Sequence, residues 1–495
     1  MKKILLVTSF VTFLVFSLNT NVFAAGAEWD AFKVAMTDST ATVTLDADVV
    51  GEAEAITVTG TKTLDLGGKT LTLKGQLIVE GNLTITGSGK VFSDNLGDMI
   101  VVKPGATLTV EDVELEATAY KAGAIQIYGT TGKNTTVNIE KDAKITANYA
   151  AYISKPGGQG ITLNVKGKLY GLYTESGTKT NGGTPLYVNG LVTDTSSNAP
   201  VINIYEGAEL IADKTAAVYA AGYAVWNIYG GLFEGEEALS IKAGTFNIKG
   251  GTFYANGKFV DPVTPEYNAS ESSGSAISIT SNKGYLAKKI ELNIEYAEIV
   301  SENGYAILEV ATDVDTNETT YVENIVIEDG IFYGGKAAVL AENVDKFVQG
   351  GIYNTDIKDY TDTTKLDVVE DKENEAFFVG TLRNVNVKDS KGGKVTVSFD
   401  KAVEGQIIKV TAKANEGYKM GEITVKDASG KEIEVDKDGY FWMPASEVTV
   451  SVVFKALPLD NTPATGSIDR MVVVSAIVAL VAMAGIVAKR KVGNN

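Results

Sequence analysis

The chain of 495 residues contains no cysteine and no histidine, and only three of its 44 basic residues are arginines. Without cysteine there is no disulfide framework and no thiol nucleophile. Without histidine there is no Ser-His-Asp relay, and the usual zinc ligand sets cannot be assembled. Only nine prolines occur against 51 glycines, so tight turns dominate over any proline-rich stalk. Positive charge is also scarce: 62 acidic residues face 44 basic ones, a net charge of −18. Such a surface disfavours tracking of a nucleic-acid backbone, and no nucleic-acid partner is expected. What remains is a chain that is 44% hydrophobic and 21% charged, enough apolar material for a packed core and two or three domains.

Both termini carry address-like segments. Met1-Lys2-Lys3 is followed by an apolar run from Ile4 to Leu18 and by Val22-Phe23-Ala24-Ala25. A positive start, a short apolar middle and small residues at the cut predict a secretory signal peptide over 1–24, cleaved between Ala24 and Ala25. At the other end Met471–Ala488 is an uncharged, mostly apolar run, closed by Lys489-Arg490-Lys491. Its length is near the minimum for a transmembrane helix, and the basic cluster would stay cytoplasmic. The expected division is signal peptide 1–24, solenoid 25–379, small all-β module 380–456, linker and sorting motif 457–466, and transmembrane segment with basic tail 467–495. Removal of 1–24 and 466–495 would take away six basic residues and one acidic one, leaving −23.

Internal repetition dominates the middle. Val137-Asn138-Ile139, Leu163-Asn164-Val165, Ile202-Asn203-Ile204, Trp226-Asn227-Ile228, Phe246-Asn247-Ile248 and Leu292-Asn293-Ile294 share one pattern, apolar–Asn–β-branched. Leu83-Thr84-Ile85 and Leu108-Thr109-Val110 are the same unit with threonine at its centre. A second apolar segment follows, often after glycine, as in Gly231-Leu232-Phe233 and Gly251-Thr252-Phe253. A third follows in turn, as in Ala216–Tyr219 and Ala337–Leu340. Successive Asn-to-Asn steps are 26, 39, 24, 20 and 46 residues. The shorter steps suit a coil of three short strands, and the longer ones require an inserted loop or an uncounted coil. Residues 258–275 are one expected insertion. Period-two alternation, β-branched residues and glycine turns predict strands. One coil cannot bury its own apolar face, so the coils must stack. The predicted fold is therefore all-β: a right-handed parallel β-helix of about a dozen coils, followed by a small all-β module. Trp29, Phe32, Val34 and Met36 predict a short amphipathic helix capping the first coil.

Three resemblances rest on these residues. Thr462-Pro463-Ala464-Thr465-Gly466, the apolar run and the basic tail together resemble the LPxTG-type sorting signal of Gram-positive cell-wall proteins, with Thr462 at the usual leucine position. This implies sortase cleavage between Thr465 and Gly466 and attachment to peptidoglycan at the cell-wall surface. Membrane contact would be through the C-terminal segment alone, and a plain membrane anchor is the alternative. Thr63–Leu71 and Leu83–Gly87 resemble the opening coils of pectate-lyase-like surface proteins, a likeness extending over about residues 27–379. The stretch from Gly417-Tyr418 through Phe441-Trp442-Met443-Pro444 to Val450 resembles a small all-β repeat of Gram-positive surface proteins. Trp442 reads there as core.

The pectate-lyase likeness implies a polysaccharide lyase or hydrolase. Lyases of that family use calcium-binding carboxylates and a basic group, often arginine, and no arginine precedes Arg383. Asn354-Thr355-Asp356 matches one hydrolase motif in isolation and reads as a turn. Gly68-Lys69-Thr70 lacks the earlier glycine of a phosphate loop, since Thr63 stands there. Asp313, Asp315 and Asn317 present oxygens at alternate positions and are a candidate Ca2+ loop, with a solvated acidic hairpin as the alternative. No other cofactor is expected. Alternation sends Asn203, Tyr205, Asn227 and Tyr229 outward, a candidate glycan-binding face on which tyrosines meet sugar rings and amides meet hydroxyls. The alternative is that the Asn ladder only stabilises stacked strands. The function expected is a non-catalytic adhesion or glycan-contact protein. A surface lyase or hydrolase, and a purely structural wall component, stand as alternatives.

Overall fold

The computed structural model describes residues 20–23, 29–94, 97–154, 159–189, 198–262, 272–282, 290–313 and 322–458. They fall into two compact units divided between Leu186 and Tyr187. The expected cleavage point, the pentapeptide at 462–466 and the apolar run at 471–488 lie outside the described residues, among which no helix is long and apolar enough to cross a membrane.

In the first unit, three parallel ladders grow together, each coil giving one strand to each. Asn82–Thr86 pairs with Thr107–Val110, which pairs with Thr135–Ile139 and then Ile161–Val165. Register aligns Leu83, Leu108, Val137 and Leu163, all buried, so like residues stack on like residues. Lys90–Ser93, Glu114–Ala117 and Lys144–Ala147 form a second ladder, and Leu77–Val79, Asp98–Val102 and Gly123–Ile127 a third. Parallel strands cannot be joined by tight hairpins, and the turn to the next face of the coil supplies the crossover. The capping helix runs Trp29–Thr37. It buries Trp29, Phe32, Ala35 and Met36, whereas Val34, expected on that face, is 57% exposed. The inward stripe follows i, i+3, i+6 and i+7 from Trp29, and Val34 falls between those positions. Thr20–Phe23, assigned by sequence to the signal peptide, pairs in parallel with Thr42–Leu45 at the end of the first ladder.

The second unit repeats the plan. Val201–Ile204, Val225–Ile228, Thr245–Ile248 and Ile290–Ile294 pair in parallel with every asparagine in register. Interior rings stack coil upon coil: Trp226 on Phe246 at 5.4 Å between centroids, Phe233 on Phe253 at 4.5 Å, Phe332 on Tyr353 at 4.7 Å. Near-parallel stacking is forced by the strand spacing, since identical rotamers in register place rings one ladder step apart. Both long Asn-to-Asn steps contain inserted segments, and the step of 46 is a single coil, since Thr245–Ile248 pairs directly with Ile290–Ile294. The step of 39 contains the antiparallel hairpin Thr174–Ser176/Lys179–Asn181, and the step of 46 contains the expected excursion after Ala255. The parallel pattern ends where Ala376–Gly380 runs antiparallel to Gly351–Tyr353.

Beyond it, Arg383–Val387, Tyr418–Asp427 and Val448–Ala456 form one small sheet, and Gly393–Val397, Ile407–Ala414 and Tyr440–Trp442 another. Their shared core includes Val385, Ile408, Val425, Phe441, Met443 and Val450. Trp442 is not part of it. Alternation along Tyr440–Trp442 points Phe441 inward (1% exposed) and leaves Trp442 57% exposed, so the expectation of a core tryptophan is corrected.

Candidate functional site

The inward assignment of Ile202, Ile204, Trp226 and Ile228 holds, each being fully buried. Asn203, Tyr205, Asn227 and Tyr229 consequently stand on the outer face. The amides form a continuous ladder. Asn227 Nδ2 donates to Asn203 Oδ1 at 3.0 Å, Asn247 to Asn227 at 3.2 Å, and Asn293 to Asn247 at 3.2 Å. The first unit has the same device, with Asn164 donating to Asn138 at 2.8 Å and Asn138 to Thr109 Oγ1 at 3.2 Å.

Beside the ladder, the Tyr205 and Tyr229 rings stack at 5.4 Å with 21° between planes. The row is two rings long: at the next coils Lys249 and Glu295 occupy the corresponding positions and pair at 3.0 Å. Beyond Tyr229 the chain turns through Gly230-Gly231, and one coil later through Gly250-Gly251. Gly231 and Gly251 adopt φ of +103° and +116°, a backbone that side chains resist, so glycine is required and the corner is left bare. A groove of about 500 Å³ results, lined by these glycines, Tyr229, Tyr296, Glu206, Glu209 and Glu298. Burial, with Glu298 and Asp329 nearby, raises the Tyr296 phenol above its ordinary pKa, so it remains a neutral donor. Sequence reasoning missed Tyr296 because it sits one position further along the turn than Tyr205 and Tyr229.

The other candidate residues separate clearly. Asn354 exchanges hydrogen bonds with the backbone of Gly334, Thr355 Oγ1 accepts from Ala338 N, and Asp356 accepts from Lys358 N; the hydrolase-like triplet is a turn. Gly68 lies in a turn (φ +76°) before the strand Thr70–Thr72, not before a helix. Asp313 ends the strand Tyr305–Asp313, while Asp315 and Asn317 lie outside the described residues. Among the described residues no group of three or more acidic side chains could hold a metal ion.

A second polar cluster was not foreseen. Glu237 accepts from Ser273 N at 2.7 Å, from Ser273 Oγ at 2.9 Å and from Ser278 Oγ, while Lys242 Nζ donates to Thr280 Oγ1. Glu237 is fully buried and Lys242 is 1% exposed, so no polymer reaches either. They hold strands together rather than present chemistry.

Residues 383–458 match the divergent InlB B-repeat domain, a repeat of surface proteins. Neither a curated protein nor a solved structure matches the chain. The match covers the small C-terminal module and supports a surface or adhesion type of protein; the parallel solenoid before it is described by its own geometry.

Proposed function

We propose that this chain is a secreted, wall-attached, non-catalytic surface protein whose right-handed β-helix presents a glycan-contact face. The observation that carries the reading is the outward pair Tyr205/Tyr229, stacked beside an amide ladder, on a solenoid followed by a surface-protein repeat. Apolar ring faces suit the C–H faces of sugars, and fixed amides suit their hydroxyls. Sortase is the processing partner, joining Thr465 to peptidoglycan, and the membrane is met only by the segment beyond it. Host or surface glycans are the proposed ligands.

A polysaccharide panel tests this. The full chain should be retained on at least one glycan without releasing reducing ends or unsaturated products. Released products would instead make it a lyase or hydrolase, and no retention would leave a structural wall component. Retention unchanged in Tyr205→Ala/Tyr229→Ala would move the site away from this face. Processing is read separately: Pro463→Ala should leave the chain extractable from the wall by detergent.

A further inference from the structure

A second cleft, of about 540 Å³, opens where the last coil of the second unit meets the C-terminal module. The joint is packed: Val403 of the module is fully buried with Ala376 and Phe378 of the antiparallel end strand. Trp442 and Tyr296, 57% and 41% exposed, stand among the cleft residues and offer large apolar surface to solvent. The lining includes Gly350-Gly351, where a Cβ on Gly350 would come within 2.2 Å of the Glu328 carbonyl and Gly351 has φ of +103°. Around it stand Glu328, Asp329, Glu404 and Arg383, all exposed. Arg383 makes no ion pair among the described residues, which leaves its planar five-donor fork available.

We propose that this cleft binds a glycan chain free of acidic groups, with sugar rings against Trp442 and Tyr296 and ring hydroxyls shared between Arg383 and the carboxylates. Aromatic surface, a lining with bare glycine backbone and a few convergent polar groups are the composition of a small-ligand site. Three carboxylates against one guanidinium select against uronate or sulfated chains, by repulsion and by the cost of desolvating unpaired charges. The proposal shares with the function proposed above the class of ligand and one lining residue, Tyr296, but its other residues stand on later coils and on the module.

The test uses the full chain titrated with an N-acetylglucosamine tetramer, its de-acetylated glucosamine tetramer and a galacturonate tetramer, followed by calorimetry and tryptophan emission. Trp29 is 7% exposed and Trp226 fully buried, so a change in emission reports on Trp442. Binding and an emission change are expected with either or both of the first two tetramers, and neither with the third. Trp442→Ala should weaken binding about tenfold or more, with Tm unchanged because the ring is exposed. Arg383→Ala should weaken binding without altering the emission of the free protein. Tyr205→Ala/Tyr229→Ala should leave this binding intact; if that variant alone abolishes binding, the outer face is the site and the cleft proposal falls. Full affinity in Trp442→Ala, equal binding of the galacturonate tetramer, no binding of any tetramer, or displacement of the sugar by an unstructured peptide would each overturn it.

Discussion

Lys62 shows how one side chain can tie two elements together. Its ammonium, 2% exposed, donates to the carbonyls of Ala35 at 2.8 Å, Asp38 at 2.9 Å and Thr40 at 2.5 Å, and lies 3.6 Å from the Asp38 carboxylate. It thereby satisfies carbonyls at the end of the capping helix, where no intrahelical donor remains. Lys62→Met should cost about 3 kcal/mol, because it leaves buried acceptors unsatisfied; chemical denaturation followed by circular dichroism measures the loss. Lys242 is the opposite case. Burial pushes its ammonium down from 10.5 to about 8, with Glu237 opposing the shift as the charged neighbour. Between about pH 8 and 10.5 the unfolded chain holds this proton and the folded chain does not, so stability rises with pH across that window. Thermal unfolding at several pH values should show that rise in the wild type and a flatter profile in Lys242→Met.

At the scale of an element, the coil turn and the ladder share the work. Each asparagine is placed by strand alternation, and Asn138, Asn164, Asn227, Asn247 and Asn293 are each bonded to the coil before them. Asn227 both donates to Asn203 and accepts from Asn247. Asn227→Ala should therefore cost about 1–2 kcal/mol, two modest half-exposed bonds, read from the denaturation midpoint. Its neighbour Asn247, whose Nδ2 donates to Asn227, should exchange its side-chain amide protons faster. The ladder was legible because asparagine recurs at one place in each unit, and the insertions because the Asn-to-Asn steps lengthen to 39 and 46. The helix face was less legible: Val34 and Ala35 are both apolar, and only packing against the first coil chooses Ala35 for burial.

At the scale of the molecule, the C-terminal module is tied to the end of the solenoid through Val403, buried with Ala376 and Phe378. Val403→Asp would place an unpaired charge there, at a cost of several kcal/mol, ~3 or more. Limited proteolysis should then release a fragment near residues 383–458 that the wild type retains. The Thr20–Phe23 strand bears on the other end. If cleavage follows Ala24, Thr42–Leu45 loses its partner and becomes an edge. Amides of that strand should exchange faster in a chain starting at Ala25 than in the full chain.

Sequence alone determined that the chain is a stacked β solenoid ending in a small all-β module, because period-two burial and a recurring Asn unit are local properties of the residues. It also determined which chemistries are closed, since absent histidine and cysteine cannot be restored by folding. Which aromatics face water was decided only in three dimensions. The phase of Tyr440–Trp442 against its neighbouring strand sends Phe441 inward and Trp442 out. The turn after Ile294 brings Tyr296 into the same cleft from about 150 residues away in the chain. No spacing along the chain records that meeting, because it depends on where the last coil stops and on what packs against it.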